Sequence, residues 1–150
     1  MIELTPRTFP EERANSFFLA GTIDSGNSRD WQREIIEEFK DDNNVIFFNP
    51  RRKNWPKENN FIEIDYQIKW EQEYLDKADY IIMVLEDDSK SPITLLELGL
   101  YATSKKLYVF CNSNFYRYNN VRLTCEKYGI PLLPNTNTQI IRAINELKYR

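Results

Sequence analysis

Short apolar runs and amphipathic stretches alternate along the chain. The runs are Phe17–Ala20, Val45–Phe48, Tyr80–Leu85 and Leu107–Cys111, with a weaker one at Ile130–Leu133. Each is brief, β-branched or aromatic, and nearly continuous, which predicts strands buried on both faces. Between them lie helical patterns. Trp31, Ile35 and Phe39 share one face of the first, behind a cap at Ser28. The others cover Phe61 to Ala78, Pro92 to Ser104, Val121 to Tyr128 and Gln139 to Tyr149. Strand–helix alternation of this kind predicts an α/β fold: a doubly wound, mainly parallel five-stranded sheet with helices on both faces, of the flavodoxin or Rossmann type. Ligands in such folds bind beyond the carboxyl ends of the strands, so the loops of interest start at Gly21, Asn49, Glu86 and Asn112.

Two of these helices carry a carboxylate where an apolar residue belongs. In the helix from Pro92, Ser91 can cap the N-terminus, and Pro92 at the first position loses no needed hydrogen bond. Its apolar stripe runs through Ile93, Leu96 and Leu100, and Glu97 lies inside that stripe. A glutamate there should face the sheet or a cleft, where desolvation perturbs its pKa. Gly99 costs the same helix roughly 1 kcal/mol relative to Ala and suggests a close approach. In the preceding helix Ile64, Ile68, Leu75 and Ala78 form the stripe, and Glu71 fills its missing position, while Glu73 and Asp76 fall on the outer face. One such glutamate reads as readily as a tolerated boundary residue. Two, on consecutive helices flanking one strand, suggest the paired carboxylates of glycosidic chemistry.

Composition narrows the chemistry further. A chain of 150 residues fits one domain over 1–150, and 41% hydrophobic with 14% aromatic residues is more than a disordered segment carries. The net charge of −3 gives no surface for nucleic acid. No apolar stretch approaches a membrane span and the N-terminus lacks a signal-peptide core, so a cytoplasmic protein without membrane contact is expected. Two cysteines, Cys111 and Cys125, make no disulfide framework and fit a reducing compartment. The chain has no histidine, which removes His-based triads and His-ligated zinc and leaves proton transfer to carboxylates, Tyr, Lys or Cys.

The run from Ser91 to Ala102, Ser-Pro-Ile-Thr-Leu-Leu-Glu-Leu-Gly-Leu-Tyr-Ala, resembles the nucleophile motif of the nucleoside 2-deoxyribosyltransferase family. Phe18-Leu19-Ala20-Gly21-Thr22-Ile23 is similar to that family's first strand and substrate loop. Trp70-Glu71 followed by Ala78-Asp79 resembles its middle element, and Asn49-Pro50-Arg51-Arg52 with Trp55 a loop of one subgroup. The resemblance spans about 17 to 121 in the family's order. It implies that Glu97 attacks C1′ to form a covalent glycosyl-enzyme, and that Glu71, eight positions before Asp79, positions the sugar and manages protons. It implies no metal and no cofactor. Relatives that hydrolyse nucleoside 5′-monophosphates carry a serine six residues before the nucleophile, here Ser91, with Thr22 in the same phosphate-binding set. Transferases acting on free nucleosides tend to carry an aspartate there, so Ser91 leans towards a nucleotide. Phe18 stands where family members often have a tyrosine that contacts the nucleophile, and Tyr66 or Tyr101 are the candidate replacements. The family's oligomers complete a neighbour's site with a loop after the fourth strand. Here that implies Asn112 to Asn120, with Asn120 the best match, and a homodimer or higher homo-oligomer.

The remaining candidates have two readings each. Gly21 to Gly26 lacks the dinucleotide-binding glycine spacing, yet its amides and hydroxyls can hold a phosphate or sugar. Asp24 is a sugar-binding or a turn residue. Arg51, with Arg52 and Lys53, is a phosphate anchor or a solvated loop. Trp55 is a platform for a nucleobase or a packing residue. Cys111 reads as a buried hydrophobe. Two functions follow: an enzyme that cleaves or exchanges the N-glycosidic bond of a nucleoside or its 5′-monophosphate, or a non-catalytic nucleotide sensor of the same fold. The presence of both Glu97 and Glu71 favours the enzyme.

Overall fold

A computed structural model describes residues 14–150. The signal-peptide expectation concerns a segment outside these residues. Five strands run β1 (Asn15–Gly21), β2 (Val45–Phe48), β3 (Tyr80–Leu85), β4 (Leu107–Cys111) and β5 (Leu132–Leu133). They form one sheet in the order β2-β1-β3-β4-β5, and every pairing is parallel. Five helices connect and follow them: α1 (Trp31–Glu38), α2 (Phe61–Lys77), α3 (Pro92–Tyr101), α4 (Tyr118–Tyr128) and α5 (Asn137–Leu147). This is the expected doubly wound α/β fold. Among the described residues no helix is long and apolar enough to cross a membrane.

Alternation along the central strands divides the core in two. Phe17 and Leu19 of β1 join Ile82 and Val84 of β3 against Trp31 and Ile35 of α1 and Ile140 and Ile144 of α5. Phe18 and Ala20, with Ile81, Met83 and Leu85, turn to the other face, against Leu75 of α2, Leu98 of α3 and Val121 and Cys125 of α4. A period of two on strands covered from both sides produces this partition directly.

Local chemistry moves several boundaries. The cap of α1 is Asp30, which accepts from the Arg33 N–H at 3.0 Å, and not Ser28, whose hydroxyl donates to the Ile23 carbonyl. The Asn112–Asn120 segment is not all loop, because α4 begins at Tyr118 and carries Asn120 in its first turn. Strand β5 keeps only two residues of the expected Ile130–Leu133, as it pairs on one side alone. Asp79 ties β3 to β1: its carboxylate accepts from the Ser16 amide at 2.8 Å and from the Ser16 hydroxyl at 3.1 Å.

Helix α3 is rotated from the expected register, and α2 departs from it at one position. Ile93, Leu96 and Leu100 are 59%, 57% and 61% exposed, so the stripe assigned to the core faces outward. The buried residues of α3 are Thr94, Glu97 and Leu98. On α2, Ile68 is exposed, while Leu75 and Ala78 are buried and Ile64 and Glu71 half-buried as expected, with Gln67, Trp70 and Tyr74 joining them. Trp70 and Tyr74 stack at 4.8 Å between ring centroids and fill the space over Phe18 and Phe48.

Candidate active site

Strand order reverses direction between β1 and β3, and a cavity of about 300 Å³ opens above their carboxyl ends. This is where doubly wound sheets place ligands, and the volume suits a small molecule. The β1 loop supplies Gly21, Thr22 and Asp24, the β2 loop supplies Trp55, and α3 supplies Ser91, Thr94 and Glu97. Glu71 and Gln67 close it from α2. Phe18 forms part of the floor.

Gly21 is required by geometry. Its φ is +144°, and a Cβ there would sit 2.2 Å from the Val84 carbonyl oxygen, inside the backbone of β3. The next residue, Thr22, donates its amide to that carbonyl at 3.0 Å. The loop is thereby stitched to β3 just as it enters the cleft. Two non-glycine cleft residues also hold left-handed backbone, Asp24 at φ 52° and Ser91 at φ 46°. Such conformations cost on the order of 1–3 kcal/mol each and persist where neighbours over-determine them, which clusters them at functional sites. Ser91 stands at the N-cap position of α3, yet its side chain makes no capping bond. Its hydroxyl lies 2.6 Å from Thr22 Oγ1 and 2.9 Å from Ser89 Oγ instead.

Glu97 is 8% exposed and shares the cleft with Glu71. Burial, with a smaller contribution from the charge of Glu71, pushes the Glu97 carboxyl up to about 8. Burial lifts Glu71 to about 7, against the opposing effect of a hydrogen bond from Gln67. Gln67 also donates to the Pro50 carbonyl at 2.9 Å, linking α2 to the β2 loop. Two carboxyl groups that titrate near neutrality can exchange roles as nucleophile and proton carrier.

Thr22, Asp24, Trp55, Ser91, Glu71 and Glu97 therefore meet around one cavity, with Gly21 beneath them. Trp55 does two things, since it lines the cavity and also packs on Gly26, where a Cβ would fall 2.6 Å from its Nε1. Arg51 lies elsewhere. Its guanidinium donates to the carbonyls of Gly26, Ser28 and Arg29 at 3.2, 2.6 and 2.8 Å, and it clamps the β1 loop from behind. Asn120 lines a separate groove between α3 and α4, beside Gly99 and Tyr116. Neither tyrosine replaces the hydroxyl missing at Phe18. Tyr66 is exposed on α2, and the Tyr101 hydroxyl donates to Asp76 Oδ1 at 2.6 Å. Cys111 and Cys125 are buried, and burial pushes their thiols up to about 12 and about 11. Gln67, Ser89 and Thr94 went unnoticed in the sequence. For Gln67 a signal existed, because it precedes Glu71 by one helical turn and must share its face.

Fold and cleft together define an α/β domain with a desolvated carboxyl pair, buried Glu97 and half-buried Glu71, at its switch point. A family model described as nucleoside 2-deoxyribosyltransferase like matches residues 14–115. The chain belongs to that family. Among solved structures, a conserved protein from Enterococcus faecalis V583 superposes with a TM-score of 0.57 at 10% identity, over 89% of this chain and 98% of the other. At that identity the likeness concerns the fold alone. No curated protein matches the sequence.

Proposed function

We propose that the protein cleaves or exchanges the N-glycosidic bond of a 2′-deoxynucleoside through a covalent intermediate on Glu97. The observation that carries this reading is the pair of carboxyls, buried Glu97 and half-buried Glu71, in one cavity on a fold of the deoxyribosyltransferase family. The pair reacts in its singly ionised form with the shared proton on Glu71: the Glu97 oxygen attacks C1′, and the C1′–N bond breaks with its electron pair leaving on the base. The departing base takes a proton from the Glu71 carboxyl. A second nucleophile then attacks C1′ and releases Glu97, which restores the original anomeric configuration. In a transferase that nucleophile is another base, whose N–H proton passes to the Glu71 carboxylate. In a hydrolase it is water, whose proton returns to Glu71. The transition state is cation-like, so the carboxylates also stabilise it electrostatically, strongly in a desolvated cleft. A 2-deoxy sugar fits because it lacks the electron-withdrawing 2′-hydroxyl. The test is chromatography of a panel of nucleosides and nucleotides, with and without an acceptor base. Free or exchanged base supports the reading. Tight binding without base release would mark a sensor instead.

The reading extends to assembly as a cytoplasmic homo-oligomer. The outward stripe Ile93, Leu96 and Leu100 flanks Gly99, whose Cβ position is open, and a second copy packing there would cover it. Asn120 is exposed on the adjoining helix, where it can reach a neighbour and not its own cleft. Light scattering tests this: a fully active monomer at micromolar concentration would refute it.

A further inference from the structure

One wall of the cleft is a single chain of hydroxyls ending on a carboxylate. Ser89 Oγ donates to Asp24 Oδ1 at 3.0 Å. A serine hydroxyl has one proton to give, so the 2.9 Å contact between Ser89 and Ser91 must be donated by Ser91. By the same argument Thr22 donates across the 2.6 Å contact to Ser91. Backbone amides reinforce this direction, since Glu86 N–H donates to Thr22 Oγ1 at 3.0 Å and Ser91 N–H to Ser89 Oγ at 3.1 Å. Every hydroxyl proton of the chain thus points towards Asp24. Thr22, Ser89 and Ser91 are all buried, and they offer a ligand lone pairs only.

A phosphate needs the opposite: donors and cations. The residues lining the cavity include Asp24, Glu71 and Glu97 but no lysine or arginine. Arg51 is committed to the loop carbonyls, and Lys90 is exposed beside Ser91 without lining the cavity. The N-terminus of α3 does favour negative charge. Asp24 already supplies it, two hydrogen bonds away through Ser89 to the Ser91 amide.

Ser91 precedes Glu97 by six residues on the same helix, about 9 Å along its axis at 1.5 Å per residue. That span suits a pentose held at both ends, so a sugar with C1′ at Glu97 can place its 5′ end at Ser91. We infer that the Thr22–Ser91–Ser89–Asp24 chain is a specificity element that accepts a free 5′-hydroxyl and turns away a 5′-phosphate. Asp24 receives the ligand's hydroxyl proton on its carboxylate, and Ser89 is a positioning residue that fixes Asp24. The inference rests on the reading that Glu97 attacks C1′, and it reverses the lean towards nucleotides implied by Ser91 alone.

The experiment measures base release from the four 2′-deoxynucleosides and their 5′-monophosphates with the wild type, Asp24→Asn and Ser89→Ala. The wild type should favour the nucleosides in kcat/KM by roughly 100-fold, the scale of one charge-assisted hydrogen bond gained against one repulsion. Asp24→Asn should narrow that ratio by roughly 10-fold or more, chiefly through KM, and Ser89→Ala should narrow it less in the same direction. A wild type that prefers monophosphates, or a ratio unmoved by Asp24→Asn, overturns the inference. If no substrate releases base, the glycosidic reading has failed, and calorimetric affinities for the same pairs decide separately. Tighter nucleoside binding that Asp24→Asn narrows supports the specificity element; any other result overturns it.

Discussion

The two faces of the sheet are built to different ends. On the α1/α5 face, Trp31, Ile35, Ile140 and Ile144 are fully buried against β1 and β3, and each helix presents its apolar side inward. On the α2–α4 face, α3 turns Ile93, Leu96 and Leu100 outward and places Glu97 inside. The first face is ordinary close packing. The second gives up part of its packing to keep two carboxyls out of water, and their raised pKa values record that cost.

Substitutions on the two faces should separate activity from stability. The largest effect is expected for Glu97→Ala, which should lower base release by at least about 10³-fold while the thermal midpoint does not fall, because the residue contributes chemistry more than packing. Ile144→Ala on the opposite face should do the reverse: a loss of about 2–5 kcal/mol in denaturant unfolding, with turnover of the folded fraction intact. If both variants lost stability and activity together, the division between faces would be wrong.

The next effect depends on pH. Glu97 carries its proton up to about pH 8 in the folded protein, whereas an unfolded chain releases it near 4.5. The folded state therefore binds more protons between those values, and stability falls as pH rises through that window. Glu97→Gln removes the penalty. Its unfolding free energy should match the wild type below pH 4.5 and exceed it by on the order of 2–4 kcal/mol above pH 8. A constant offset across pH would show that Glu97 is not desolvated. The smallest effect should come from Gln32 on α1, a buried side chain whose amide oxygen and nitrogen both lack a hydrogen-bond partner among the described residues. Gln32→Met should stabilise by about 1 kcal/mol, measured by urea unfolding. A loss would mean that the amide is bonded in solution.

Much of the fold was legible because its signals are local. Val45–Phe48, Tyr80–Leu85 and Leu107–Cys111 are bounded as strands just where the apolar runs begin and end. Helix α3 was not legible in rotation, since Ile93, Leu95, Leu96, Leu98 and Leu100 surround it and leave periodicity without a phase. Glu97 is inward as expected, but beside Thr94 and Leu98 and not within the stripe that suggested it. Arg51 read as a phosphate anchor or a solvated loop residue because nothing local shows that three loop carbonyls claim it. Ser89 follows Glu86-Asp87-Asp88 with no apolar pattern to mark it; the fold closes a turn from its amide to the Glu86 carbonyl at 3.2 Å and brings its hydroxyl onto Asp24.

The central claim is that Glu97 becomes covalently bonded to the sugar. Mass spectrometry of protein quenched during turnover of a 2′-deoxynucleoside, followed by peptide mapping, addresses it directly. The account predicts a mass increase of one deoxyribosyl group on the peptide containing Glu97, absent in Glu97→Gln. Base release at a near-normal rate from Glu97→Ala, with no adduct on the wild type, would contradict it.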